Sequence, residues 1–339
     1  MRPVTLKRLA WTCGVLLAVL LATVVVALKL GAVPISVSDL VLSLARVAIG
    51  RSDQLPSEYR LIVFELRLPR ILLGILVGAA LSVAGAGFQA LLRNPLADPY
   101  VLGVSSGAAL GAILSLIVSP RVPLIQPLAA FVGAALTIAA VYFLGRRAGQ
   151  LDSSTLLLAG IITASFLSAV IMFLMTTLSG RDLRGMAFWL MGDLSTPLAA
   201  GLRWILVAGL VAAVGAIYTT AADLNLLLTG EREALHLGVD VTRVKLVVYL
   251  AASVLTGLAV SVSGAIGYVG LLVPHAMRLL FGSDYRLLIP ASALGGAIAV
   301  VLADTLARTI AAPTELPVGA MTAMAGAPVF IYLLRRRLQ

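Results

Sequence analysis

Leu246–Met277, LVVYLAASVLTGLAVSVSGAIGYVGLLVPHAM, runs for 32 residues without a charge. As one α-helix it would be about 48 Å long, against a hydrocarbon core about 30 Å thick. Its second half carries Gly264, Gly267, Gly270 and Pro274, residues that break or bend helices. The run therefore reads as two membrane spans divided near Gly264–Gly267. Eight further charge-free runs surround it: Leu9–Leu28, Ile71–Leu92, Pro99–Pro120, Val122–Gly145, Ser153–Gly180, Trp204–Ala222, Leu287–Ala303 and Leu316–Leu334. Ten spans follow.

Composition agrees with this count. Of 339 residues 60% are hydrophobic and only 12% are charged, whereas soluble domains carry about 25% charged residues. Ten spans of roughly 20 residues use roughly 200 positions, close to the hydrophobic fraction, which leaves no room for a large extramembrane domain. Helices are required, because an open strand in lipid leaves backbone groups unpaired. The runs also lack the two-residue alternation of an outer-membrane barrel. The expected architecture is an all-α integral membrane protein forming a single transmembrane domain over residues 1–339.

Arg2, Lys7 and Arg8 precede the first span, and Arg335, Arg336 and Arg337 follow the last. The positive-inside rule places both termini in the cytoplasm, which an even span count satisfies. The first run exceeds a signal-peptide core and no small-residue cleavage site follows it, so it reads as a retained helix. On this topology 14 of the 25 Lys and Arg residues are cytoplasmic and 11 lie outside. So basic an outer face suggests an acidic partner there, beside the simpler reading of headgroup anchoring. The net charge of +10 is scattered between spans, with no basic domain to grip nucleic acid.

Several chemistries are excluded. A P-loop needs a lysine after a glycine-rich turn, and Lys7, Lys29 and Lys245 have none. The chain is therefore not expected to hydrolyse ATP. His236 and His275 are the two histidines and Cys13 the single cysteine, so no metal cluster, catalytic set or bound cofactor is expected. His275, after Pro274 and near an expected helix end, reads as a local hydrogen-bonding or capping residue. Gly74, Gly78 and neighbouring small residues read as close helix packing.

Two interruptions stand out. Arg93-Asn94-Pro95-Leu96-Ala97-Asp98-Pro99 places two prolines four residues apart and reads as a tight turn between spans two and three. The longest cytoplasmic segment is 223–245. Within it Thr229–Gly238 reads as a short helix with Glu231 and Glu233 at its N-terminal end and Gly238 as C-cap. Such a helix either floats on headgroups or docks into a soluble partner, and the residues alone leave both open.

These segments resemble the FecCD-like permease subunits of type II ABC importers for iron complexes, haem and cobalamin. The resemblance rests on Leu66-Arg67-Leu68-Pro69-Arg70, Gly87-Phe88-Gln89, Arg93 through Pro99, Gly103-Val104-Ser105-Ser106-Gly107-Ala108, Gly264 through His275 with Arg278, Leu302-Ala303-Asp304 with Arg308, Glu315 through Gly319, and Gly326-Ala327-Pro328-Val329-Phe330. It covers nearly the whole chain.

The resemblance implies a homodimer in the inner (cytoplasmic) membrane. Two copies of a cytoplasmic ABC ATPase would use the ATP, and a periplasmic substrate-binding protein would deliver the cargo. By resemblance, Thr229, Gly230, Glu231, Arg232, Ala234, Leu235 and Gly238 couple to the ATPase. Ser153 and Ser154 match the cytoplasmic gate, with Asp152 before them as a departure from the family pattern that alters the local electrostatics. Arg67, Arg70 and Arg308 match the residues that dock the binding protein; Arg308 pairing with Asp304 one turn earlier is the alternative. The expected substrate is an iron complex, haem first and a ferric siderophore next. A cobalamin importer is the alternative, and an ion-coupled secondary transporter lies further off because the spans lack mid-membrane charges.

Overall fold

The computed structural model describes residues 5–31, 33, 35–36, 38–39, 42, 46, 56–118, 124–147, 150–178, 180–196, 198 and 200–337. Ten apolar helices form its body. They are α1 (Leu6–Lys29), α2 (Leu68–Leu91), α3 (Val104–Val118), α4 (Ile125–Leu144), α5 (Ser153–Met175), α7 (Ala200–Thr219), α10 (Val241–Ser263), α11 (Val269–Phe281), α12 (Tyr285–Thr309) and α13 (Val318–Arg337). Among the described residues seven are long and apolar enough to cross a membrane, with α3, α11 and α13 shorter. A π-helical stretch, Arg60–Arg67, runs directly into α2. Among the described residues the shorter helices are α6 (Gly180–Leu190), α8 (Ala221–Leu227) and α9 (Glu231–His236), with single turns at Ser57–Tyr59 and, as a 3-10 helix, at Pro99–Leu102. The two-residue strands β1 (Arg146–Arg147) and β2 (Gln150–Leu151) pair antiparallel before α5. The protein is an all-α, multi-pass membrane protein.

The core lies where helices are covered all round. In the stretch ending in α2, 83% of the apolar window is buried, against 22% for α1, α4 and α5. Glycine makes this density possible. A Cβ on Gly78 of α2 would collide with the Gly296 carbonyl of α12, and one on Gly296 would strike the Gly78 carbonyl in return. Gly107 and Gly111 of α3 meet Gly133 and Ala129 of α4 in the same way. Such small-residue seams replace the hydrophobic effect, which cannot drive helices together in lipid. The expected close packing at Gly78 is present; Gly74 is in ordinary side-chain contact.

The break in the long run falls where expected. α10 ends at Ser263, α11 begins at Val269, and Gly264 and Tyr268 turn the backbone at φ of +63° and +66°. Its polar groups find partners within the protein, as lipid requires. The Ser263 carbonyl accepts from Asp193 N at 2.8 Å, and Ile266 N donates to Tyr100 Oη at 2.9 Å.

Aspartates start three of the spans that begin at the α9 end. Asp152, Asp240 and Asp284 accept from Thr155 N, Arg243 N and Arg286 N at 2.8, 3.0 and 3.0 Å. Each caps an orphan donor and places a negative charge at the positive end of a helix. Asp152 is thus a helix cap, which accounts for its place before the two serines. His275 lies inside α11 and not near its end, a correction to the expected capping position.

Candidate functional site

The 223–245 segment folds as two short helices separated by a turn. α9 spans Glu231–His236, shorter than the expected Thr229–Gly238, because Gly230 turns out at φ +143° and Gly238 at φ +85°. Ala234 is fully buried beneath it. Gly238 N donates to Leu235 O and Val239 N to Ala234 O, both at 3.0 Å. That pair of bonds is a Schellman closure, which needs a left-handed residue at Gly238. Gly230 leaves room for the Glu233 carboxylate to fold back over the helix start. The outward face carries Arg232, with Leu235 at 58% and Leu237 at 63% exposure. Thr229, in the turn, donates from its hydroxyl to Leu226 O at 2.7 Å.

At the same end, the start of α5 is closely held. The Asp152 carboxylate accepts from Thr155 N at 2.8 Å, from Thr155 Oγ1 at 2.7 Å and from Ser154 Oγ at 2.5 Å. Ser153 Oγ donates to Leu91 O, the last residue of α2, at 3.2 Å. Ser154 is exposed beside it. Lys245 of α10 reaches across with its ammonium 3.2 Å from Leu151 O and 2.6 Å from Glu231 Oε1.

The turn after α2 is organised by Gln89, which the sequence reading placed only within a motif. Its Nε2 lies 3.4, 3.3 and 3.2 Å from Ala97 O, Gly270 O and Leu271 O, and Arg278 Nη1 donates to its Oε1 at 2.6 Å. One amide side chain thereby ties the Arg93–Pro99 turn to α11. Nothing about a lone glutamine in an apolar run signals this. Asp98 accepts from Tyr100 N at 2.8 Å. Burial pushes its carboxyl up to about 6, partly offset by that hydrogen bond. The folded state then binds this proton more tightly than the unfolded chain, so stability should rise as pH falls from about 7 toward 4. Melting of the detergent-solubilised protein across that range should show the rise, and Asp98→Asn should flatten it. An unchanged slope in Asp98→Asn would assign the titration elsewhere.

Arg67, Arg70 and Arg308 do converge at the opposite end, but not as an open basic patch. Arg67 and Arg308 are each 6% exposed. Arg70 Nε donates to Asp304 Oδ1 at 2.8 Å and its Nη1 to Glu315 Oε2 at 2.6 Å. Arg308 Nε lies 3.0 Å from Asp304 Oδ2, one helical turn away. Arg67 Nη1 donates to Leu28 O at 2.6 Å and Lys29 O at 3.3 Å, and Arg308 Nη2 to Ala27 O at 3.3 Å. Those carbonyls end α1, where a cation meets both orphan acceptors and the negative pole of the helix. The guanidinium groups bind α1, α2 and α12 together. The pairing of Arg308 with Asp304 is present as the alternative had it.

The described length of the chain, from the first span through α13, matches the FecCD transport family over residues 19–336. The chain belongs to the FecCD transport family. It is 44% identical to the cobalamin import system permease protein BtuC of Halobacterium salinarum, across 99% of this chain and 90% of that one. It is 42% identical to the hemin transport system permease protein HmuU of Yersinia pestis, across 80% of this chain and 83% of that one. Among solved structures, a metal-chelate type ABC transporter in an inward-facing conformation superposes with a TM-score of 0.81 at 29% identity, covering 96% of this chain and 99% of its own. As a FecCD permease the chain is a transport subunit, and the family keeps ATP hydrolysis in separate subunits.

Proposed function

We propose that this permease works as a homodimer in the cytoplasmic membrane, importing a bulky metal chelate, haem first and a ferric siderophore next, with cobalamin as the alternative. The coarser reading, an ABC importer permease for metal chelates, is the common ground of its relatives. Two ATPase copies sit on the cytoplasmic side and bind ATP there; a substrate-binding protein approaches from outside. Both termini are cytoplasmic, in keeping with the basic residues that flank the first and last spans.

The observation that carries the assembly is α9. Leu235 in α9 and Leu237 at its C-cap are 58% and 63% exposed on a short element beyond the ends of the spans. Leucines held out on a rigid, glycine-capped helix favour insertion into a groove on a soluble partner. Thr229, Gly230, Glu231, Arg232, Ala234, Leu235 and Gly238 form that coupling element, and Ser153 and Ser154 the inner gate. On the outer side the binding protein meets the end of the bundle carrying Glu315, with Arg67, Arg70 and Arg308 as its rigid foundation.

Gly238→Val tests the coupling. A Cβ there meets no atom within 4 Å, so the variant introduces backbone strain alone, about 1–3 kcal/mol at a left-handed position. ATPase copurification and transport should both fall while the permease itself stays folded. Wild-type yield and transport would overturn the docking of α9. For the substrate, ATPase stimulation by the complex with its binding protein is to be compared for haem, a ferric siderophore and cobalamin. Stimulation by cobalamin alone would replace haem in this reading.

A further inference from the structure

We propose that Lys245 is the positioning residue that transmits movement of the coupling helix α9 to the gate-bearing helix α5; this rests on the coupling and gate reading above. Lys245 is the fifth residue of α10 and its side chain is 7% exposed. Its ammonium stands between two elements, the coupling helix and the start of α5. On one side is the Glu231 carboxylate, 2.6 Å away, on the first residue of α9. On the other is the Leu151 carbonyl, 3.2 Å away, immediately before the Asp152 cap of α5.

Both contacts sit at points where small movements matter. Glu231 follows the Gly230 turn, so any rotation of α9 moves its carboxylate. Leu151 ends the short β-ladder whose partner residue is Arg146, and Asp152 N closes that loop on Gly145 O at 3.3 Å. The start of α5 therefore hangs from Lys245 through Leu151 and from α2 through the Ser153–Leu91 bond. A pull on Lys245 shifts the Asp152–Ser153–Ser154 turn against α2, which is where the gate is proposed. An ammonium suits this task because it has three donors and no acceptor, and so serves a carboxylate and a carbonyl together.

The chemistry is asymmetric, which makes the proposal testable. Glu231 is 37% exposed and rehydrates when its partner goes. Removing Lys245 thus strands no charge, whereas removing Glu231 would leave a buried ammonium without its counter-charge, held by the Leu151 carbonyl. Lys245→Met keeps the stem volume and should fold and copurify with the ATPase at wild-type levels.

In the reconstituted complex with its binding protein, ATP consumed per substrate imported should rise about fivefold or more, the lower end of coupling between sites. A ratio within about twofold of wild type would overturn the proposal. The reversed pair, Lys245→Glu with Glu231→Lys, restores an ion pair but places no donor beside Leu151 O. It should stay uncoupled; full recovery would overturn the transmission role and leave a plain salt bridge. Loss of ATPase copurification in Lys245→Met would also overturn it, since Lys245 would then merely shape α9. The coupling reading itself fails separately, on Gly238→Val.

Discussion

Asp304→Ala is expected to destabilise the permease by about 3–5 kcal/mol, the cost of breaking a buried ion pair from one side. Asp304 is 2% exposed and is the carboxylate shared by Arg70 and Arg308. Arg70 keeps Glu315 as a second partner. Arg308 keeps its hydrogen bond to the Ala27 carbonyl, while its charge stays in place. Thermal melting in detergent should fall by roughly 10 °C for a chain of this size. Because the loss comes from a stranded cation, adding Arg308→Met should recover part of it, as apolar replacement of a whole buried pair is often neutral. Binding-protein association in the double variant then separates foundation from contact. If Asp304→Ala melts within about 2 °C of wild type, the cluster does not hold α1, α2 and α12 together.

The second large effect is expected at Gly85. A Cβ there would overlap the carbonyl oxygen and carbon of Gly270, where α2 crosses the first turn of α11. The obstacle is backbone on both sides, so no side chain can swing away. Overpacking of this kind typically costs about 1–3 kcal/mol, and Gly85→Ala should lie at or beyond the upper end. Gly14 of α1 supplies the control, since a Cβ there meets nothing within 4 Å. Gly14→Ala should be neutral or stabilise by up to about 1 kcal/mol through backbone entropy. Equal melting of the two variants would show that the α2–α11 crossing gives way more easily than its geometry implies.

Together these sites set a glycine-packed frame apart from the end that carries α9. The frame is the glycine-packed set α2, α11 and α12, with the buried ion cluster at the end opposite α9. At the α9 end, the β-ladder and the Asp152-capped start of α5 are tied to α9 through Lys245. An importer needs this division. On the proposed function the ATPase docks at the α9 end, and the pathway opens there without loosening the helices that seal it from lipid.

Much of the fold was legible in the sequence, since lipid restricts a spanning segment to helices of a set length. The ten spans, the break at Gly264–Gly267, the Gly238 cap and the close approach at Gly78 follow from run length, glycine position and helical spacing. The shared end of the three arginines was legible too, because topology and the Arg67–Arg70 spacing set it. Their burial was not: charge says nothing about which carbonyls and carboxylates the fold brings within reach, and Glu315 and the end of α1 arrive from distant parts of the chain. Gln89 and Lys245 were hidden for the same reason. Each is a single polar residue whose partners lie on other helices, and only tertiary packing decides whether it meets lipid, water or three carbonyl groups.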